Sequence, residues 1–268
     1  GAFDMDNGTL IVDDRATSVW VTLNRPDKMN SISAGMLEDL ENLMAALAAR
    51  RELRALVFTG AGRAFCAGVD LKAAQERVSG DDGPAANAAF LERLRDVLVK
   101  VERFPRPVIA AVNGLALAGG LELVLCCDLV VAAESARLGD AHANYGLVPG
   151  GGSSVRLPRK VGPNRAKQLI FSGDFLPAAT LAEWGLVNRV VADAEMLNAT
   201  GEMVERLAGR SPVGLERMKR MVDDGLEQPL DAALSYELAL NALHARSADR
   251  AEGLAAFNEK RTPRFTGR

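Results

Sequence analysis

Two side chains able to move protons stand in this chain beside segments suited to holding negative charge. Glu122 lies three residues after Gly119 in the run PVIAAVNGLALAGGLELVLCC, Pro107 to Cys127, where an apolar strand meets a glycine pair and then a helix. The first N–H groups of a helix have no intrahelical acceptor and stabilise an anionic oxygen that approaches them. A carboxylate in that first turn is either a favourable charge, commonly worth about 0.3–1 kcal/mol, or a base that orients and activates water. The glycine pair has its own alternative, a tight strand-to-helix packing contact. His142, in Asp140-Ala141-His142-Ala143-Asn144-Tyr145-Gly146, is one of only two histidines. An imidazole, with an ordinary pKa of about 6.5, accepts or donates a proton near neutrality. Asp140 either orients that ring or serves a solvent-facing turn. The second histidine, His244, matches no motif and reads as an interface or surface residue of a helix.

The elements that must position these groups are legible from periodicity. Leu10–Asp13 and Ser18–Leu23 read as paired strands around a turn at Asp13-Asp14-Arg15. Ser33–Arg51 places Met36, Leu37, Leu40, Leu43, Met44 and Leu47 on one helical face. Ala55–Thr59, Val108–Val112 and Leu129–Ala133 are buried, β-branched strands. Ser79-Gly80-Asp81-Asp82-Gly83-Pro84 has turn composition and opens a mobile loop before a helix over Ala85–Arg103. From Pro163 onward the pattern is almost wholly helical, with Gly173 and Gly185 as stops and Pro177, Pro212 and Pro229 as first-turn residues. Alternating strands and helices predict an α/β fold with a largely parallel sheet. The pattern divides the chain into a core over residues 1–200 and a helical region over 201–268. Periodicity alone does not separate a spiral of strand pairs from a doubly wound sheet.

Composition bounds the function. The chain has 268 residues, enough for one sizeable core. Thirty-two Lys and Arg face 35 Asp and Glu, a formal net charge of −3, so no broad basic field favours nucleic acid and an anionic ligand needs a local cluster. Apolar runs break well before the roughly 20 residues that span a bilayer, which predicts no membrane helix. The first residues lack the basic and apolar parts of a secretory signal, and those before Met5 read as a cloning remnant. Cys66, Cys126 and Cys127 fit neither a disulfide framework nor a metal-ligand spacing, and are expected as buried, reduced thiols of a cytoplasmic protein.

A second segment, Arg63-Ala64-Phe65-Cys66-Ala67-Gly68-Val69-Asp70-Leu71-Lys72, joins the first. With Gly114, Gly119-Gly120 and Tyr145-Gly146-Leu147-Val148-Pro149-Gly150-Gly151-Gly152, it resembles the enoyl-CoA hydratase/isomerase family, the crotonase superfamily. The resemblance runs from Asn24-Arg25-Pro26 to Phe257-Asn258-Glu259-Lys260-Arg261. It implies a crotonase-like spiral of ββα units, a C-terminal α-helical region, and a homotrimer or dimer of trimers. It also implies an acyl-CoA thioester substrate, with no metal and no redox cofactor, since CoA belongs to the substrate. The backbone N–H groups of Val69 and Gly119 become the oxyanion donors, and Glu122 the water-directing acid/base. His142 stands where most hydratases carry a second glutamate that transfers a proton at the α-carbon. Ala67 and Asp70 flank the donor loop, Asp70 reading as a helix-start stabiliser. Lys72 is placed near the CoA entrance, and Phe257 and Lys260 on a segment that reaches CoA across a subunit boundary. Their alternatives are a solvated lysine and a core phenylalanine. Arg25 and Lys28 lie on the CoA side, mainly through backbone, and Tyr145 either lines the acyl pocket or simply packs.

The expected reaction is addition of water to a 2-enoyl-CoA, giving a 3-hydroxyacyl-CoA. Enoyl-CoA isomerisation, hydrolysis of a β-dicarbonyl C–C bond, and acyl-CoA binding without catalysis are the alternatives. Superfamily C–C hydrolases with histidine at this position usually support it with a downstream acid. Pro149-Gly150-Gly151-Gly152 offers none.

Overall fold

The computed structural model describes residues 8–80 and 82–268. The readings of the residues before Met5 and of Asp81 lie outside the described residues. Strands β1 (Leu10–Asp14) and β2 (Ser18–Leu23) pair antiparallel with Leu10 opposite Leu23, and the turn falls slightly later than expected. Helix α1 (Ala34–Ala48) starts at Ser33, whose hydroxyl accepts the Met36 N–H. It buries Met36, Leu37, Leu40, Leu43, Met44 and Leu47, the face its periodicity predicts. Each such side chain contributes about 1.5–3 kcal/mol when taken fully from water.

The chain then repeats one pattern. Strands β3 (Ala55–Gly60) and β4 (Ala64–Cys66) are followed by α2 (Leu71–Val78) and α3 (Gly83–Glu102). Strands β5 (Val108–Val112) and β6 (Leu115–Leu117) lead into α4 (Gly119–Leu125). Strands β7 (Leu129–Ala133) and β8 (Arg137–Gly139) precede α5 (Ser153–Val161) and α6 (Pro163–Ser172). The first strand of each pair joins a six-stranded sheet and the second a four-stranded sheet, in the same order and parallel. Each pair therefore climbs one step of a spiral, and the α/β class and ββα spiral are both present. The corner between paired strands is tight: a Cβ at Gly114 would lie 2.1 Å from the Arg63 carbonyl oxygen.

After α6 come β9 (Leu176–Pro177), α7 (Ala178–Glu183), β10 (Arg189–Val191), α8 (Met196–Ala208), α9 (Pro212–Gly225), α10 (Leu230–His244) and α11 (Ala248–Glu259). One expected boundary shifts here. The region beyond Pro163 is almost wholly helical, as its pattern predicts, with two short strands added: β10 pairs parallel with β7 and β9 antiparallel with β8. Strands of two or three residues are too short to show a period. The helix before β5 starts at Gly83 rather than Ala85, since a glycine and a proline are both tolerated in a first turn. The division at residue 200 falls inside α8, whose Met196, Ala199, Thr200 and Val204 are buried in the main core. Among the described residues, no helix is long and apolar enough to cross a membrane.

Candidate active site

Glu122 projects from the first turn of α4 and is only 1% exposed. Its Oε1 accepts the Gly151 N–H at 3.0 Å and the Ser153 N–H at 3.3 Å, so the N-terminus of α5 faces the carboxylate. The Ser153 hydroxyl lies 3.4 Å from the same oxygen and donates to Asp140 Oδ2. Oε2 accepts no hydrogen bond among the described residues. Gly151 is glycine for a steric reason: its Cβ would sit 2.3 Å from Oε2. Burial pushes the Glu122 carboxyl above the usual carboxylate range; the His142 charge and the Ser153 and Gly151 N–H groups pull it only part of the way back.

Asp140 is fully buried and its Oδ1 lies 3.0 Å from His142 Nδ1. Of the two roles open to it, the ring-orienting one has the geometry and the solvent-facing turn does not. Fixing Nδ1 on the carboxylate leaves Nε2 as the nitrogen able to exchange a proton with a ligand. Burial opposes charge on the imidazole, yet the Asp140 hydrogen bond and the charges of Asp140 and Glu122 prevail, so His142 is held above its ordinary pKa. Glu122, Ser153, Asp140 and His142 thus form one connected polar chain. Ser153 escaped the sequence reading, because nothing local marks a helix-start serine whose partners lie 13 and 31 residues earlier.

The two backbone donor segments lie side by side. Ile32 N–H donates to Gly68 O at 2.7 Å and Asp70 N–H to Ile32 O at 3.1 Å, a pairing that leaves the Val69 N–H unused. Gly119 opens α4, and a Cβ at Gly68 would lie 3.5 Å from the Gly119 nitrogen. Neither the Val69 nor the Gly119 N–H has a backbone acceptor among the described residues. Ala118, just before Gly119, is held at φ 49°, ψ −115°, and Ala141, between Asp140 and His142, at φ 62°. Non-glycine residues in such regions cost roughly 1–3 kcal/mol and persist where their surroundings over-determine them. Both strained peptides border the polar cluster.

Other expected site residues scatter by function. Asp70 caps α2 by accepting the Ala73 N–H and is gripped by Arg25 Nη2 at 3.2 Å; Arg25 also holds the Ser31 carbonyl at 2.6 Å. These two charges brace the donor loop that carries Ala67 and Val69. Lys28 and Lys72 are exposed, as is Tyr145, at 70%, so Tyr145 does not pack in the core of this chain. Phe257 is 81% exposed and not a core residue, and with Lys260 it sits at the end of α11. His244 bonds Arg217 at 2.7 Å, and burial and that guanidinium hold it below its ordinary pKa. The three cysteines are free and buried, with burial pushing the Cys66 thiol up to about 12. Among the described residues, no group of His, Cys, Asp and Glu is arranged to hold a metal.

This fold recurs in known proteins. Residues 14–268 match the family model described as enoyl-CoA hydratase/isomerase. A 2,3-dehydroadipyl-CoA hydratase of Escherichia coli (strain K12) is 37% identical over 260 residues, covering 97% of this chain and 99% of its own length. A 1,2-epoxyphenylacetyl-CoA isomerase of the same strain is also 37% identical, over 92% of this chain and 94% of its own. The crystal structure of an enoyl-CoA hydratase from Bacillus anthracis superposes with a TM-score of 0.91 at 38% identity, covering 97% of this chain and all of that one. Equal identity to a hydratase and an isomerase separates family from reaction. With its ββα spiral, adjoining backbone donors and near full-length matches, the chain belongs to the enoyl-CoA hydratase/isomerase family, within the crotonase superfamily.

Proposed function

We propose that the protein is an enzyme that adds water across the double bond of a 2-enoyl-CoA to form a 3-hydroxyacyl-CoA. The thioester oxygen is received by the Val69 and Gly119 N–H groups, which take up the negative charge as an enolate develops. In a comparable site one such donor is worth about 2.7–4 kcal/mol of barrier. Water bonds to the β-carbon while its proton passes to Glu122 Oε2, the carboxylate oxygen without a protein donor. The α-carbon takes the proton from His142 Nε2, the protonated ring being favoured by Asp140. Two protons thus change hands, one gained by Glu122 and one lost by His142, and exchange with solvent resets both. The observation that carries this reading is the division of labour on Glu122: Oε1 is pinned by two backbone N–H groups while Oε2 is left open beside His142.

A second reading draws on a specific observation. The acid missing downstream of His142 is supplied from upstream by Asp140, giving a buried Asp–His pair of the kind a β-dicarbonyl C–C hydrolase requires. One mass-spectrometric screen over diverse acyl-CoAs decides. Hydration adds the mass of water, isomerisation leaves mass unchanged, and cleavage yields fragments. No turnover of any thioester by a protein that still binds them leaves acyl-CoA binding as the function.

A further inference from the structure

Ser153 is a fully buried hydroxyl with no part in the hydration step. It opens α5, yet it does not act as other helix-start serines of this chain do. Ser33, Ser211 and Ser247 each precede a helix and accept an N–H from its first turn, from Met36, Gly214 and Arg250 in turn. Ser153 lies one residue inside its helix, after Gly152, and its hydroxyl takes no N–H from α5 among the described residues. It stands between two carboxylates instead. A hydroxyl has one proton to give, and this one is in close contact with Asp140 Oδ2 but 3.4 Å from Glu122 Oε1. The nearer acceptor takes it. Glu122 Oε1 is already occupied by the Gly151 and Ser153 N–H groups.

Asp140 has few donors. Fully buried, its carboxylate accepts from His142 Nδ1 on one oxygen and from Ser153 on the other, and from no third side chain or N–H among the described residues. Two donors on one buried carboxylate share its negative charge, so what Ser153 draws off is withheld from the imidazole. Nothing else near the ring does the same. Glu122 faces it from α4; Arg156 of α5 is paired with Glu102 of α3, and the Cys66 thiol of β4, pushed up to about 12, stays neutral. Arg137, Arg165, Lys167 and Asp174, on the segments around the turn at His142–Tyr145, are exposed. We propose that Ser153 is a positioning residue for proton transfer at the α-carbon: its hydroxyl, donated to Asp140 Oδ2, shares that carboxylate with His142, so that the ring releases its Nε2 proton to the substrate. This rests on the reading of His142 as the donor of that proton. The enolate's electron pair forms the new C–H bond and Nε2 keeps the pair of the broken N–H bond. Nδ1 and Ser153 keep their own protons throughout.

Ser153→Ala removes the hydroxyl and keeps the backbone N–H on Glu122. In ligand-free protein followed by proton NMR, the His142 midpoint should rise by roughly half a unit or more, because the ring then faces the whole Asp140 charge, while His244 stays in place. Turnover is measured on the 2-enoyl-CoA that the mass-spectrometric screen finds hydrated fastest. The alkaline limb of kcat/KM should move up with the midpoint, and kcat should fall several-fold with KM little changed, a more basic ring being a weaker acid. Ser153→Cys, a weaker donor of similar shape, should fall between the two, and it keeps the comparison readable if alanine lowers the melting temperature too far. A His142 midpoint that stays put in Ser153→Ala overturns the proposal. So does one that falls, which would show Asp140 swinging away from the ring. A raised midpoint with an unaltered kcat/KM profile also overturns it, and leaves hydration standing. If no 2-enoyl-CoA is hydrated, the reaction proposed above fails and this role with it.

Discussion

Burial resists charge on Glu122, and this has a sign that can be measured. Its folded-state pKa is raised above the ordinary value, so the folded protein holds that proton to higher pH than the unfolded chain. Stability from this group is therefore intact below the ordinary carboxylate range and is lost as pH rises through the raised value. Glu122→Gln removes that cost. The variant should melt a few degrees higher near pH 7, the gain vanishing in acid, while turnover falls about 100- to 10,000-fold as for loss of a general acid/base. Melting temperatures across pH, set beside turnover, check both halves, and unchanged turnover with unchanged binding would take Glu122 out of the chemistry. His142 carries the same sign for a cation: its pairing with Asp140 stabilises the fold fully below pH 6.5 and fades as pH rises through the raised folded value. With only two histidines, the ring protons are readily assigned by proton NMR. His142 should titrate above 6.5 and His244 below it. Asp140→Asn, which can still accept from Nδ1–H but brings no charge, should lower the His142 midpoint and leave His244 in place. A His142 midpoint unmoved by that substitution would remove Asp140 as its positioning residue.

At the scale of elements, the site depends on short segments approaching closely. The N-terminus of α5 reaches Glu122 because Gly150, Gly151 and Gly152 let the chain pass over α4 without side chains. Gly151→Ala would put a methyl 2.3 Å from Oε2, forcing the carboxylate to swing or α5 to withdraw. Turnover should drop by at least tenfold, a loss that misplacement by about 1 Å readily causes, with the melting temperature less affected; rates equal to wild type would show that α5 accommodates the methyl elsewhere. Long periodic elements such as α1, and β-branched strands such as β5 and β7, were legible in the sequence because a single pattern of burial dictates them. So was the approach of the Val69 and Gly119 segments, whose glycines mark close backbone contact. β10 was not legible: three residues pair with β7 only after α7 returns the chain to the sheet. Ser153 was invisible for a related reason. It takes its meaning from residues distant in sequence, Asp140 and Glu122.

At the scale of the molecule, the C-terminal helices present an apolar surface that the single chain does not cover. Leu230, Leu234 and Leu238 repeat every four residues along α10, which sets them on one stripe, and are 74%, 51% and 69% exposed. Burying what these three leucines still expose is worth about 3–6 kcal/mol before the cost of association. Phe257 and Lys260 lie exposed at the end of α11, while Asp249 at its start accepts the Thr266 and Gly267 N–H groups and Arg54 holds the Phe265 carbonyl. That anchoring keeps α11 with its own core. We propose a homotrimer, or a dimer of trimers, sealed through this helical surface. Analytical ultracentrifugation at micromolar concentration should find a mass of three chains or a multiple of it. Replacing Leu234 and Leu238 together by aspartate puts two charges into the stripe and should yield monomers that remain folded, since neither side chain is part of the buried core. If Phe257 and Lys260 reach a neighbouring pocket, those monomers should also bind CoA several-fold more weakly, as should Lys260→Ala in the intact assembly. A wild-type protein that stays monomeric at these concentrations rejects the assembly, and monomers with undiminished CoA affinity confine the CoA site to a single chain.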